Sequence, residues 1–249
     1  MDTRIYYILH LADNSLIMGH RLSEWTGHAP VLEQDIAITN IALDLIGQSR
    51  YLYQYAASLK NDGATEDTLA YLRDANEFKN FLIAELPNGD WAKTILKIFF
   101  FSAYQYFFYK EFIGSSDEQL AAIAEKSLKE VTYHLRWSSE WVVRLGDGTD
   151  ESHSRLLNAF DELWSYTGEM FLPSAYELDT AKFRVGVDVS LIKDSWNKKV
   201  KEVFDEATIP LPGTTWMQSG GKDGRHTEHL GYILAEMQFL QRAYPGCEW

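Results

Sequence analysis

The sequence predicts an all-α protein, a four-helix bundle of two helical hairpins with additional helices towards the C-terminus. Three observations carry this. The six prolines, at positions 30, 87, 173, 210, 212 and 245, all fall outside the long stretches of helical periodicity, as expected where helix interiors exclude a residue without an amide hydrogen. No convincing pair of alternating apolar and polar strands can be found. A stripe of polar and aromatic residues occurs twice, at spacings that place each copy on one face of an α-helix.

Taken in order, the first helix is expected over about residues 5–25. The second begins near Pro30, which suits a first helical turn, and continues to about Leu59. After the turn Pro87-Asn88-Gly89, a third runs over about 90–112. The fourth covers 117–145, with Ser116 or Asp117 as cap and Gly146 as stop. Residues 61–88, between the second and third helices, hold only short helical pieces such as 65–73. Two hairpins joined by one long crossover is the ferritin-like topology. Beyond the bundle, 152–171, 189–207 and 226–242 are expected as accessory helices. The stretch 209–224, rich in Gly and Pro, suits a surface loop but is too short to separate domains. One domain is therefore expected over 1–249, with the core bundle at about 4–146 and accessory helices at about 150–249.

With 249 residues, 46% of them hydrophobic and 14% aromatic, the chain can bury roughly three quarters of its unfolded surface. A net charge of −13 and a pI near 4.9 argue against nucleic acid, whose phosphates such a surface repels, and favour solubility or a basic partner. Cys247 is the one cysteine, so an intrachain disulfide and a thiolate cluster are excluded and a reducing cytoplasm is expected. The opening residues show no signal-peptide core. The most apolar run, 98–109, is about twelve residues, too short for a bilayer.

The repeated stripe carries the chemistry. Asp44, Gln48, Tyr51 and Tyr55 recur 86 positions later as Glu130, His134, Trp137 and Trp141, and Arg50 and Arg136 repeat with them. An acid and an imidazole aimed into a bundle from two related helices is how di-iron carboxylate proteins hold their metals, but those proteins use Glu-x-x-His on both helices. This chain has none. A di-iron site takes about six protein ligands, typically four carboxylates and two imidazoles. Here Gln48 stands where a second imidazole is needed. The first helix offers only Asp13, early, and Glu24, at its end; the third has Glu111 in its last turn and Lys97 and Gln105 at mid-length. No metal is therefore expected in this chain, and Asp44, Gln48, Glu130 and His134 are expected to form a vestigial polar core. A buried carboxylate without a metal costs several kcal/mol unless paired or protonated, so Asp44 and Glu130 should be met by Gln48, His134 or a nearby Arg or Lys.

The segment 220–231 holds His226 and His229 three apart with Glu228 beside them. A structural role is expected: its glycines allow a tight loop, Thr227 or Asp223 can cap a helix, and Leu230, Ile233, Leu234, Met237 and Leu240 make an apolar stripe. Lys222, His226, Glu228 and His229 are candidates for contact with a partner. No phosphate-binding or dinucleotide fingerprint and no Gly-x-Ser-x-Gly elbow occurs, and no catalytic or cofactor-binding residue is assigned.

The segments Arg21-Leu22-Ser23-Glu24-Trp25-Thr26-Gly27-His28-Ala29-Pro30, Ile41-Ala42-Leu43-Asp44-Leu45-Ile46-Gly47-Gln48, Tyr133-His134-Leu135-Arg136 and 220–231 with Leu234-Ala235-Glu236-Met237-Gln238 resemble the C-subunit (PaaC) family of phenylacetyl-CoA epoxidase, also called 1,2-phenylacetyl-CoA monooxygenase, of the phenylacetic acid degradation complex. The resemblance covers nearly the whole chain. It implies a ferritin-like subunit that has lost its metal and supports a homologous catalytic subunit, which carries the di-iron centre. The complex takes electrons from a flavin and iron-sulfur reductase and converts the ring of phenylacetyl-CoA into its 1,2-epoxide. Two alternatives stay open: a catalytic di-iron or mono-metal oxygenase completed by Asp13 or water, and association with a second copy.

Overall fold

Side-chain caps set where most of the helices begin. Asp2, Thr65, Asp90, Asp117, Thr149, Ser174 and Thr227 each accept a hydrogen bond from a backbone amide of the first turn that follows, satisfying donors that have no partner inside the helix. The computed structural model describes residues 2–213 and 215–247; Met1, Thr214, Glu248 and Trp249 lie outside the described residues. The helices are α1 (Thr3–Ser23), α2 (Leu32–Lys60), α3 (Glu66–Tyr71), α4 (Leu82–Glu85), α5 (Trp91–Phe112), α6 (Glu118–Gly146), α7 (Asp150–Leu163), α8 (Ala175–Lys182), α9 (Lys193–Glu206), α10 (Glu228–Met237) and α11 (Phe239–Ala243). No strand occurs among the described residues. The expected all-α class and the four long helices are found, each within about two residues of its expected ends.

The chain divides into two compact units, Met1–Pro87 with Gly220–Trp249, and Asn88–Ser219. In the first, α1 packs along α2, and α3, α4 and α10 close around the pair. Its core holds Tyr7, Ile8, Ile17, Leu22, Ile38, Leu52 and Tyr53. Gly19 admits this packing: a Cβ there would come within 3.0 Å of Ile46 and 3.2 Å of the Ala42 carbonyl.

In the second unit α5 is apolar nearly all round, and a helix of that kind must be enclosed. It is packed by α6, α7 and α9. Phe99, Phe100, Phe101, Phe108 and Phe112 are fully buried, each contributing about 1.5–3 kcal/mol relative to exposure. Trp164, Trp196 and Phe204 ring Phe100 at 5.8–5.9 Å, and the Trp196 indole donates to the Phe100 carbonyl at 3.1 Å. Gly146 ends α6 against α9, because a Cβ there would lie 2.2 Å from the Ala207 carbonyl oxygen.

The accessory region differs from expectation. The segment 152–171 is not one helix: α7 stops at Leu163 and two 3-10 turns follow, Trp164–Tyr166 and Gly168–Phe171. Thr167 closes the first turn on the Trp164 carbonyl with both its amide and its hydroxyl, and a side chain at Gly168 would strike Met217 at 2.6 Å. The expected helix over 189–207 opens with a 3-10 turn and becomes α-helical only at Lys193. The last helix begins after Thr227, not at His226, and breaks at Gln238, whose amide group caps the carbonyls of Ala70 and Arg73. Helix α8, capped by Ser174 and Glu177 reciprocally, has no counterpart among the expected helices. Within 209–224, expected as a surface loop, Gly220, Gly221 and Lys222 are buried.

Candidate functional site

The two copies of the stripe lie on α2 and α6, one in each unit. Gln48 and His134 are buried, whereas Asp44 and Glu130 are only half-buried, so neither carboxylate bears the full desolvation expected of it. The copies diverge further along. Trp137 is 8% exposed and Tyr51 42%, because Trp137 and Trp141 close edge-on against Trp91 at 6.1 and 5.6 Å. Arg50 faces solvent with Glu66 at 3.5 Å.

The fully buried acids are elsewhere. Asp13, expected early in the first helix, stands instead at the middle of α1; it is closed to solvent and accepts from four donors. Its Oδ1 takes the Tyr53 hydroxyl at 2.5 Å and a guanidinium nitrogen of Arg73. Its Oδ2 takes the other guanidinium arm at 3.1 Å and the Lys79 amide at 2.8 Å. Two-pronged pairing of this kind neutralises a buried carboxylate most fully. Arg73 also donates to the Leu69 and Glu77 carbonyls and lies 4.1 Å from the centre of the Phe78 ring. Burial works against its charge, but Asp13 and Tyr53 outweigh that and raise its pKa. Burial first, then the charge of Asp13, holds the Tyr53 phenol well above its ordinary range, so it remains a donor. His10 and Asn14, on the same face of α1, hold the Lys79 carbonyl at 2.7 Å and the Phe81 amide at 2.7 Å. These α1 residues thus fasten the irregular chain of the crossover.

A second buried acid, Glu85 of α4, is met by the C-terminal segment. Its carboxylate accepts from the Thr227 amide at 2.6 Å, His226 Nδ1 at 3.0 Å and the Asn80 side chain at 3.2 Å. His226 Nε2 lies 2.9 Å from the Phe78 carbonyl. With acceptors on both sides, the ring binds best as imidazolium. Burial pushes its pKa down; the hydrogen bond and charge of Glu85, the Phe78 carbonyl and the charge of Asp13 outweigh this, and the net shift is upward. Gly221 and Gly224 bring the loop close enough: a Cβ on the first would lie 2.1 Å from the Asn80 oxygen, and on the second 2.2 Å from the Asn76 oxygen. The Lys222 ammonium lies over the Phe81 ring, 5.2 Å from its centre. Lys222 and His226 are therefore turned into the protein, Glu228 faces solvent and His229 is half-buried.

In the second unit the mid-helix positions of α5 carry Lys97 and Gln105, both buried, with the Lys97 ammonium donating to Asn88 Oδ1 at 2.9 Å. Glu111 is exposed, and Glu24 pairs with Arg21 at 2.8 Å near the surface. Neither unit offers a donor set that fits a pair of iron ions: in the first, Asp13 has its lone pairs occupied by Arg73, Tyr53 and Lys79, and in the second, α5 carries an ammonium and an amide at mid-length. Among the described residues, no three His, Cys, Asp or Glu side chains gather where they could hold a metal ion. Sequence reasoning misses Arg73 and Glu85 because they stand outside the long periodic segments, with no repeat to mark them. The spacing His10, Asp13, Asn14 inside an otherwise apolar helix is the available signal.

Fold and site together define a helical protein whose first unit meets its two fully buried acids with its own arginine and histidine. The chain belongs to the phenylacetic acid catabolic protein family, whose family model matches residues 1–249. It is 44% identical over 249 residues to the C subunit of 1,2-phenylacetyl-CoA epoxidase from Escherichia coli (strain K12), covering 100% of both chains. No helix among the described residues is long and apolar enough to cross a membrane.

Proposed function

We propose that this chain is a non-catalytic structural subunit of a cytoplasmic multicomponent oxygenase that epoxidises the aromatic ring of phenylacetyl-CoA. In this reading its two long hairpins form a ferritin-like bundle that stabilises a homologous di-iron subunit, with electrons supplied by a flavin and iron-sulfur reductase. The full-length similarity to the C subunit of an epoxidase supports the system. The observation that carries the metal-free role is Asp13: the one carboxylate at mid-length in α1 is bound on both oxygens by protein donors, two of them from Arg73. A cation bound there would have to displace a guanidinium from a buried pair, at a cost of several kcal/mol.

Loading the purified chain with ferrous iron and counting metal tests this directly. Substoichiometric iron is expected; close to two irons per chain with a di-iron absorption band would make the chain an oxygenase in its own right. Glu130→Ala is expected to lower stability or the yield of the complex while the assembled complex keeps its turnover. Loss of turnover at full assembly counts against the scaffold role.

A further inference from the structure

In the second unit α5, α6 and α9 enclose an open groove of about 790 Å³. Its floor is apolar, built from Phe107, Leu135, Val143 and Val203. Along α6 it extends from Thr132 to Arg144, about 18 Å at 1.5 Å per residue, or three helical turns.

The rim is charged. Lys110 of α5 and Arg136 and Arg144 of α6 stand on one side, with Glu140 between the two arginines; on the other, Lys199 of α9 is paired with Glu202 at 3.1 Å, and Glu206 lies on the same helix. The chain has 36 acids and 23 bases, so carboxylates outnumber the cations that could take them. Lys110, Arg136 and Arg144 nevertheless rest on aromatic rings of their own helices: Lys110 is 5.4 Å from the centre of Tyr106, Arg136 5.8 Å from Tyr133, and Arg144 5.5 Å from Trp141. Such contacts keep a cation in place while leaving its hydrogen-bonding edge available.

We infer that this groove is the seat of an amphipathic helix from another subunit of the complex, lying along α6 with its apolar face on Phe107, Leu135, Val143 and Val203. Carboxylates on one edge of that helix meet Lys110, Arg136 and Arg144, and a basic residue on the other meets Glu206. Arg136 and Arg144 are eight residues apart, about 12 Å along the axis, so the acids they take are spaced about seven or eight residues apart. Helix-in-groove recognition uses this combination of apolar anchors and a charged rim. A compact polyanion fits less well, because the floor is apolar and Glu140, Glu202 and Glu206 stand among the cations. A second copy of this chain fits less well too, because each carries a net charge of −13. The inference rests on this chain being a subunit, not on its lack of catalysis.

The test uses the chain co-expressed with the other epoxidase subunits of the same source and purified as the complex. A photo-crosslinking p-benzoyl-phenylalanine in place of Thr132, at the exposed edge of the groove, is expected to join a peptide of another subunit that reads as an amphipathic helix with acids along one edge. The double substitution Arg136→Glu with Arg144→Glu is expected to weaken the complex at least tenfold, with the melting temperature of the free chain unchanged; Lys182→Glu, a cation of the same unit away from the groove, serves as the control. Cross-links to a second copy of this chain, or complex affinity unchanged by the double substitution, overturn the groove assignment while leaving the subunit reading in place. A chain that co-purifies with no other subunit overturns both.

Discussion

A carboxylate removed from water needs its charge met by the groups around it, and in this protein each fully buried acid of the first unit has a separate solution. Asp13 is met by a guanidinium, Glu85 by an imidazole and a backbone amide. Removing one partner from such a pair leaves an uncompensated charge, which costs about 3–5 kcal/mol. Arg73→Ala is expected to destabilise the protein by that amount in urea unfolding, and the double change Asp13→Asn with Arg73→Met to recover part of it. The Glu85–His226 pair responds to pH. Because the folded-state pKa of His226 is raised above its ordinary 6.5, its contribution is complete below about pH 6.5 and is lost as the pH rises through the higher folded value. The stability difference between the protein and its His226→Gln variant should therefore be largest in mild acid and shrink towards alkaline pH. A difference that grows with pH would show that the ring is neutral in the folded state.

At the scale of the element, glycines separate the positions where this chain needs close approach from those where it does not. Gly221 sits against the Asn80 carbonyl, where a Cβ would be 2.1 Å away; Gly47, in the middle of α2, has no atom within 4 Å of that point. Gly221→Ala should loosen the C-terminal loop, seen as faster amide exchange over 220–227. Gly47→Ala should stabilise the isolated chain by about 1 kcal/mol through helix propensity alone, seen as a higher melting temperature. The elements are also the most legible level. Cap residues and excluded prolines mark helix ends locally, and the four long helices end near where those marks stand. The segment 152–171 reads as a single helix because its apolar spacing continues through Trp164, whereas the break is made by the Thr167 cap and by the closeness of Gly168 to Met217, which is remote in sequence.

Across the whole molecule, the first unit is built from both ends of the sequence, with Gly220–Trp249 returning to Met1–Pro87. The return is fastened by polar contacts: Thr227 and His226 on Glu85, Gln238 on the Ala70 and Arg73 carbonyls, and Arg242 on Asp74. Deleting the chain from residue 220 leaves Glu85 without two of its donors. Amide protection is then expected to fall over 74–86, while α5 and α6, which pack within the second unit, keep theirs.

The all-helical class, the ends of the four long helices, the excess of negative charge and the shortage of metal ligands are all in the sequence, because each depends on residue identity and spacing over a few turns. The repeated stripe is legible for the same reason. Tertiary structure alone decided which polar residues are buried. Asp44 and Glu130 are half-buried where the stripe pointed to them as core, and the acids of the first unit that must be neutralised are Asp13 and Glu85. Their partners Arg73 and His226 lie 60 and 141 residues away along the chain. Charge pairing across such distances follows from which segments fold together, and no local pattern of residues encodes it.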